Sequence, residues 1–260
     1  MLEQIKNRFK SEQHFWDGII FLSEAGSHLS GTNDETSDLD FRAIVLLNED
    51  YQIGMKKFEH TKLVSGTNKI NLHKDLDVEV FSPQKFVNEA YHGETVCIEM
   101  LFTENPSIYV YNYEWMDPIK KNREVFLSKS IARKYLGYIT GCINRALLDP
   151  NNNRLKRPDS IERLNNFGYE TKAAMNAIKN GRMVLELLNQ GTMTLKRPDR
   201  EELLAIKRGK YTREEFSQIS SDLIQEVKSA METSKLPDKA NFNIVNQLMK
   251  DYNKMILKSL

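Results

Sequence analysis

The apolar residues of this chain change their spacing part-way along, and that change constrains the fold more than any other feature. Over the first 110 or so residues they come in short strand-length runs separated by polar loops. From about Val125 they recur roughly every 3.6 residues, the helical period. Gly18 to Leu22 (GIIFL) and Phe41 to Leu47 (FRAIVLL) are two such runs, joined by SHLSGTNDETS, whose Gly, Asn, Asp, Ser and Thr content marks a loop. Leu76 to Phe81 (LDVEVF) alternates apolar and acidic residues, as a half-buried strand does, and residues 107–113 (SIYVYNY) give one more extended piece. Residues 2–16 read as a short amphipathic helix, and residues 51–74 as a polar excursion. Ser82 followed by Pro83 is an N-cap with Pro at the first helical position. Further helices are expected in Glu124 to Leu148, Ile161 to Leu188, Pro198 to Lys207 and two later segments, with Gly209 as a stop and Thr212 with Glu215 as a capping box. The fold class expected is therefore α+β, with a mixed domain over residues 1–115 and a helical domain over residues 116–260.

Composition excludes several classes. With 40% apolar and 28% charged residues the chain suits a soluble globular protein. No stretch lacking Asp, Glu, Lys and Arg exceeds ten residues, against the roughly 20 of a membrane helix. The N-terminal MLEQIKNRFKSEQHF has charges where a signal peptide has its apolar region. Two cysteines, Cys97 and Cys142, build neither a disulfide framework nor a zinc cluster, so a cytoplasmic location is expected. The five His (14, 28, 60, 73 and 92) show no metal-ligand spacing. The net charge of +1 hides an asymmetry. Residues 1–116 carry 10 basic and 19 acidic groups, residues 117–213 carry 21 and 10, and the rest 6 and 7, for nets of −9, +11 and −1. Such a split suits an anionic ligand on the basic part and a cation on the acidic part.

The acidic part has a specific pattern. Gly26-Ser27 follows the first strand, and Asp38-Leu39-Asp40 opens the second. On a strand Asp38 and Asp40 project together, because residues two apart share a face. Two carboxylates on one face repel unless a cation sits between them. Mg²⁺ fits best, with Mn²⁺ as the substitute, since it takes oxygen ligands and is shared between carboxylates and substrate phosphates. At Gly26 the backbone can approach a ligand closely, and the Ser27 hydroxyl can hold phosphate oxygens. Asp77 in LDVEVF offers a third carboxylate for a two-metal site, with Glu79 on the same face.

These residues carry a resemblance. GSHLSGTNDETSDLDFRAIVL resembles the signature of nucleotidyltransferases with the DNA polymerase β type of fold, and the chain is similar to the bacterial and phage group linked to RNA repair. The likeness continues in DVEVFSPQKFVNEAYHGETVCIEMLF and in GYETKAAMNAIKNGRMVLELLNQGTMTLKRPDREELLAIKRGKYTREEF, and covers most of residues 20–216. It implies a polymerase-β-type sheet with helices, followed by a helical C-terminal domain. By the same resemblance Gly26 and Ser27 match the phosphate-binding pair, Asp38 and Asp40 the two-metal carboxylates, and Asp77 the third, with Glu79 in its place if the register differs. His28 and Ser30 stand where the group usually has an Arg and an aromatic residue, and Gly93-Glu94-Thr95 where it often has Gly-Asn-Pro. Asn176 and Lys179 replace a common His and a common Arg. The departures bear on substrate choice rather than on the metal site.

GYETKAAMNAIKNGRMVLELL reads as one helix after Gly168. At about 100° per residue Lys172, Asn176 and Lys179 fall within about 60° of one another, with Arg182 about 60° further round. Such a ridge can neutralise a triphosphate, although a solvated helix face gives the same pattern. Arg42, on the Asp38 and Asp40 face, is expected to pair with those carboxylates or to touch a phosphate. Arg154, Lys156, Arg157, Lys196, Arg197, Arg200, Lys207, Arg208 and Lys210 would track a polyanion if they shared a face. Tyr135, Tyr138 and Tyr169 are read as core rather than as base-stacking residues. The expectation is a Mg²⁺-dependent nucleotidyltransferase that moves a nucleoside monophosphate from an NTP to an acceptor hydroxyl, an RNA end by the basic segment and the resemblance together. The alternatives are adenylylation of a small molecule or protein, and a non-catalytic nucleotide or nucleic-acid binding module.

Overall fold

Leu39–Val45 and Leu76–Phe81 lie side by side as parallel strands, with Asp40 opposite Asp77 and Arg42 opposite Glu79. The structure, a computed structural model, describes residues 1–35, 37–65, 75–148 and 158–260. In chain order the elements begin with α1 (Leu2–Arg8), α2 (Gln13–Asp17), β1 (Ile19–Glu24), α3 (Gly26–Ser30), β2 (Leu39–Val45) and α4 (Glu49–Gln52). Then come β3 (His60–Val64), β4 (Leu76–Phe81), α5 (Pro83–Tyr91), α6 (Thr95–Phe102), β5 (Ile108–Tyr111) and α7 (Tyr113–Lys120). The later helices are α8 (Lys129–Ala146), α9 (Pro158–Phe167), α10 (Thr171–Gln190), α11 (Arg200–Lys207), α12 (Arg213–Thr233) and α13 (Phe242–Ser259). The expected α+β class is what the structure has. Among the described residues no helix is long and apolar enough to cross a membrane.

The strands form one sheet in the order β3-β4-β2-β1-β5, antiparallel apart from the β2/β4 pair. Alternation along β2 and β4 sends Phe41, Ala43, Val45, Val78 and Val80 into a core with Leu22, Ile5, Phe15 and Trp16. The intervening residues, Asp40, Arg42, Asp77 and Glu79, therefore share the other face. Ser82 caps α5 as expected, its Oγ accepting from the Lys85 amide at 3.2 Å. The edge strand β3 falls inside the expected polar excursion, because only one of its faces is half-buried and HTKLV carries little apolar signal. The loop expected after Gly26 begins instead as the single turn α3, closed by Gly31 at a φ of +71°. Ser30 Oγ staples that turn by donating to the Gly26 and Ser27 carbonyls at 3.1 and 3.2 Å.

The described chain divides into two compact units, Met1–Leu127 with Ala240–Leu260, and Ser128–Lys239. The boundary expected near residue 115 thus falls inside the first unit, and the last helix returns to that unit. The reason is packing. In the first unit α13 buries Val245, Tyr252 and Ile256, with Tyr252 edge-on to Trp115 at 5.8 Å and Gln84 bonded to Asn253 at 3.2 Å. The second unit is built on α10, which packs against α8, α11 and α12. Its helix α12 opens with the expected capping box, the Thr212 hydroxyl accepting from the Glu215 amide and the Glu215 carboxylate accepting from the Thr212 amide. The first unit carries 16 basic and 22 acidic residues and the second 21 and 14, so the opposed charges follow the units.

Candidate active site

The acidic face of the sheet is built by the β2/β4 register. Asp40 lies directly across from Asp77, and Asp38 precedes β2 by one residue. The Gly26 turn closes over them, with the Ala25 amide donating to the Asp40 carbonyl at 2.8 Å. Gly26 has a φ of +58°, and a Cβ built on it would stand 2.6 Å from Asp40 Oδ2. Glycine is therefore required there twice over, by the backbone and by the carboxylate against it. Buried Ser30 and Thr32, joined hydroxyl to hydroxyl at 2.8 Å, hold the turn from inside. Neither was readable from sequence, since each works through a loop conformation.

Burial raises the Asp40 carboxyl above its ordinary range, and the negative charges of Asp38 and Asp77 raise it further, against smaller opposing effects of Lys62 and Arg42. Excess negative charge of this kind is what a hard cation relieves. Asp77 is 4% exposed, and its Oδ2 lies 3.2 Å from Lys62 Nζ on β3. Lys62 is a part of the site that sequence reading missed, because it sits on the unpredicted edge strand. Among the described residues no three His, Cys, Asp or Glu side chains are already gathered into a metal cage. The carboxylates thus fit Mg²⁺ in charge and in donor type, while one oxygen of Asp77 is turned to a lysine.

Glu79 and Arg42 face each other across the strands, and each also has a partner on another element. Glu79 Oε1 meets His60 Nε2 at 3.0 Å. Arg42 Nη1 donates to Glu99 Oε2 at 2.6 Å and to the Val96 carbonyl at 3.3 Å, so its guanidinium anchors α6. Its positive charge also acts on the Asp40 carboxyl, in the lowering direction, so Arg42 joins α6 to the acidic face. Of the two candidates for the third carboxylate, Asp77 is the neighbour of Asp40.

Lys172, Lys179 and Arg182 belong to the second unit. Between residues 171 and 184 of α10, only Lys172, Asn176, Lys179 and Arg182 reach solvent, which is the ridge read from the period. Arg182 is committed within its unit, donating to Asp199 Oδ2 and, at 2.9 Å, to Glu202 Oε2. Arg197, expected on a polyanion track, is buried instead, bridging Glu186 at 2.7 Å and Asp199 at 2.8 Å. Tyr135 and Tyr169 are core as expected, whereas Tyr138 is 50% exposed, because its turn of α8 faces solvent. His73, Arg154, Lys156 and Arg157 lie outside the described residues.

Residues 1–251 match the RNA repair pathway DNA polymerase beta family, RlaP. The chain belongs to this family. That membership is what the Gly-Ser turn and the strand carboxylates led one to expect. A stretch of 124 residues is 35% identical to the uncharacterized 38.9 kDa protein in the nrdC-mobD intergenic region of Enterobacteria phage T4. That match covers 46% of this chain and 36% of the phage protein. Two solved structures are also similar. The nucleotidyltransferase-like protein of Exiguobacterium sibiricum is 11% identical, with a TM-score of 0.32 over 90% of this chain and 75% of the other. The spectinomycin adenyltransferase AAD(9) of Enterococcus faecialis, solved with ATP and spectinomycin, is 16% identical, with a TM-score of 0.40 over 87% and 98%.

Proposed function

We propose that this RlaP-family protein transfers a nucleoside monophosphate from a Mg²⁺-bound NTP to the hydroxyl end of an RNA, releasing pyrophosphate. The observation that carries the reading is the partly buried Asp40 carboxyl, which feels the charges of two other carboxylates and lies close against Gly26. A protein that only bound phosphate would gain nothing from that concentration of negative charge. Asp38, Asp40 and Asp77 would hold the ions, and Glu79, paired with His60, is left out of the set. When bound, Mg²⁺ would supply Lewis-acid stabilisation of the phosphate oxygens and lower the pKa of the attacking hydroxyl.

Gly26 and Ser27 hold the β and γ phosphates in this reading, the turn being kept open by the missing Cβ. The acceptor oxygen attacks the α phosphorus, a new P–O bond forms, the bond to the bridging oxygen of the β phosphate breaks, and the hydroxyl proton leaves to water. On the second unit, Lys172 and Lys179 of the α10 ridge are phosphate-binding residues in this reading, and Arg182 acts indirectly by fixing α11 against α10. The RNA acceptor rests on the family and on the basic second unit. The test is transfer from labelled NTPs to RNAs, metabolites and proteins, comparing the natural protein with Asp38→Asn/Asp40→Asn. Label on RNA, lost in the variant, is the expected result. Label only on a metabolite or protein would replace the acceptor, and equal activity of both proteins would remove the mechanism.

A further inference from the structure

The edge strand β3 lays a histidine and a lysine over the carboxylates of β4. In the strand register Lys62 stands opposite Glu79, and His60 opposite Phe81. Each reaches one step along the diagonal, as long side chains on one face of a sheet can. His60 Nε2 thereby meets Glu79 Oε1 at 3.0 Å, and Lys62 Nζ meets Asp77 Oδ2 at 3.2 Å. The His60 ring also lies against Phe81, 4.6 Å between centroids, so this residue is held by its neighbours. Lys62 and Asp77 are an unequal pair, with 55% of the lysine side chain exposed and 6% of the aspartate.

That inequality decides which partner moves. Asp77 is fixed in the sheet directly across from Asp40, and Asp40 in turn lies against Gly26. Lys62 projects from the exposed side of an edge strand on a flexible four-carbon stem. An exposed ion pair of this kind is cheap to break, a factor of a few in any equilibrium it opposes. A divalent cation on Asp77 would repel an ammonium at the same oxygen, and a triphosphate beside it offers that ammonium a more highly charged anion. Asp40 is two strand spacings from β3, roughly 10 Å, and Lys62 already spans the first of them to reach Asp77.

We propose that Lys62 is a phosphate-binding residue held in reserve on Asp77: in the empty site its ammonium rests on Asp77 Oδ2, and in the loaded site it leaves that oxygen and pairs with a phosphate oxygen of the nucleotide. This rests on the reading of the carboxylates as the holders of a Mg²⁺-bound NTP. The same side chain then opposes the binding of a metal ion alone and favours the binding of the metal nucleotide. A salt bridge that served only to pin β3 to β4 would act on both ligands alike or on neither.

The test is calorimetry on the full chain with two probes, Mg²⁺ alone and Mg²⁺ with α,β-methylene ATP, an analogue that binds without being transferred. Lys62→Met is expected to bind Mg²⁺ severalfold more tightly than the natural protein and the Mg²⁺ nucleotide severalfold more weakly. Lys62→Arg keeps the charge and should stay near the natural protein with both probes. The exposed position of Lys62 lets both variants fold. Effects of one sign on both probes, or an unchanged nucleotide affinity in Lys62→Met, would overturn the proposal. So would a Lys62→Arg protein that behaves as Lys62→Met does, because the charge would then not be the cause. A natural protein that binds the analogue equally well without Mg²⁺, or no better than Asp38→Asn/Asp40→Asn does, removes the metal reading itself.

Discussion

Asp40 concentrates the physical argument in one side chain. Its folded pKa is raised, so the native state binds this proton more tightly than the unfolded chain does. The resulting stability is fully present below the ordinary value of 3.8 and is lost as pH rises through the higher folded value. Asp40→Asn is therefore expected to stabilise the protein at pH 7, by about 1 kcal/mol, while abolishing transfer. Urea denaturation at two pH values checks this, because the gain should vanish in acid; a less stable variant at pH 7 would contradict it. Lys62 gives a second prediction at this scale. A unit charge within about 4 Å is worth on the order of 1 kcal/mol even in water. Removing it in Lys62→Met should thus tighten Mg²⁺ binding severalfold, as read by calorimetry, whereas weaker binding would make Lys62 a positive contributor to the site. The place of Asp40 and Asp77 on the polar face of the sheet was legible because alternation along a strand is local information. Lys62 was not, because its approach to Asp77 depends on a strand pairing that leaves little apolar trace.

At the scale of elements, the informative feature is how α6 is held on the sheet. The Arg42–Glu99 pair is largely buried, with 12% and 16% of the two side chains exposed. Glu99→Ala leaves the guanidinium without its carboxylate and is expected to cost about 2 kcal/mol, measured in denaturant, with the helix content of α6 the first to be lost. A cost near zero would mean that α6 is held by its apolar face alone. The sequence of α6, TVCIEMLF, is apolar nearly all round, so no period marked it as a helix. The capping box of α12 and the cap of α5 were readable because both are made by residues three apart. Arg182 shows the limit: its place on the ridge follows from the helix period, but its ion pairs come from α11 and the turn before it, which no period reveals.

The whole molecule is two units of opposite charge, and the chain visits the first unit twice. Reading the helical period identified α13 without saying what it packs against, since an amphipathic face specifies burial but not a partner. Removal of residues 240–260 should therefore damage the carboxylate unit rather than trim a helical domain. It exposes the partners of Val245, Tyr252 and Ile256, at roughly 1.5–3 kcal/mol for each buried side chain. The expected outcome is a lower melting temperature with fast proteolysis within residues 1–127, and stable domains separable at residue 115 would contradict it. The central claim is that the Asp38, Asp40 and Asp77 cluster exists to hold a metal-bound nucleotide. Calorimetric titration of ATP, with and without Mg²⁺, into the natural protein and Asp40→Asn tests it most directly. Mg²⁺-dependent binding that disappears in the variant is the predicted result, and equally tight binding without Mg²⁺ in both proteins would contradict it.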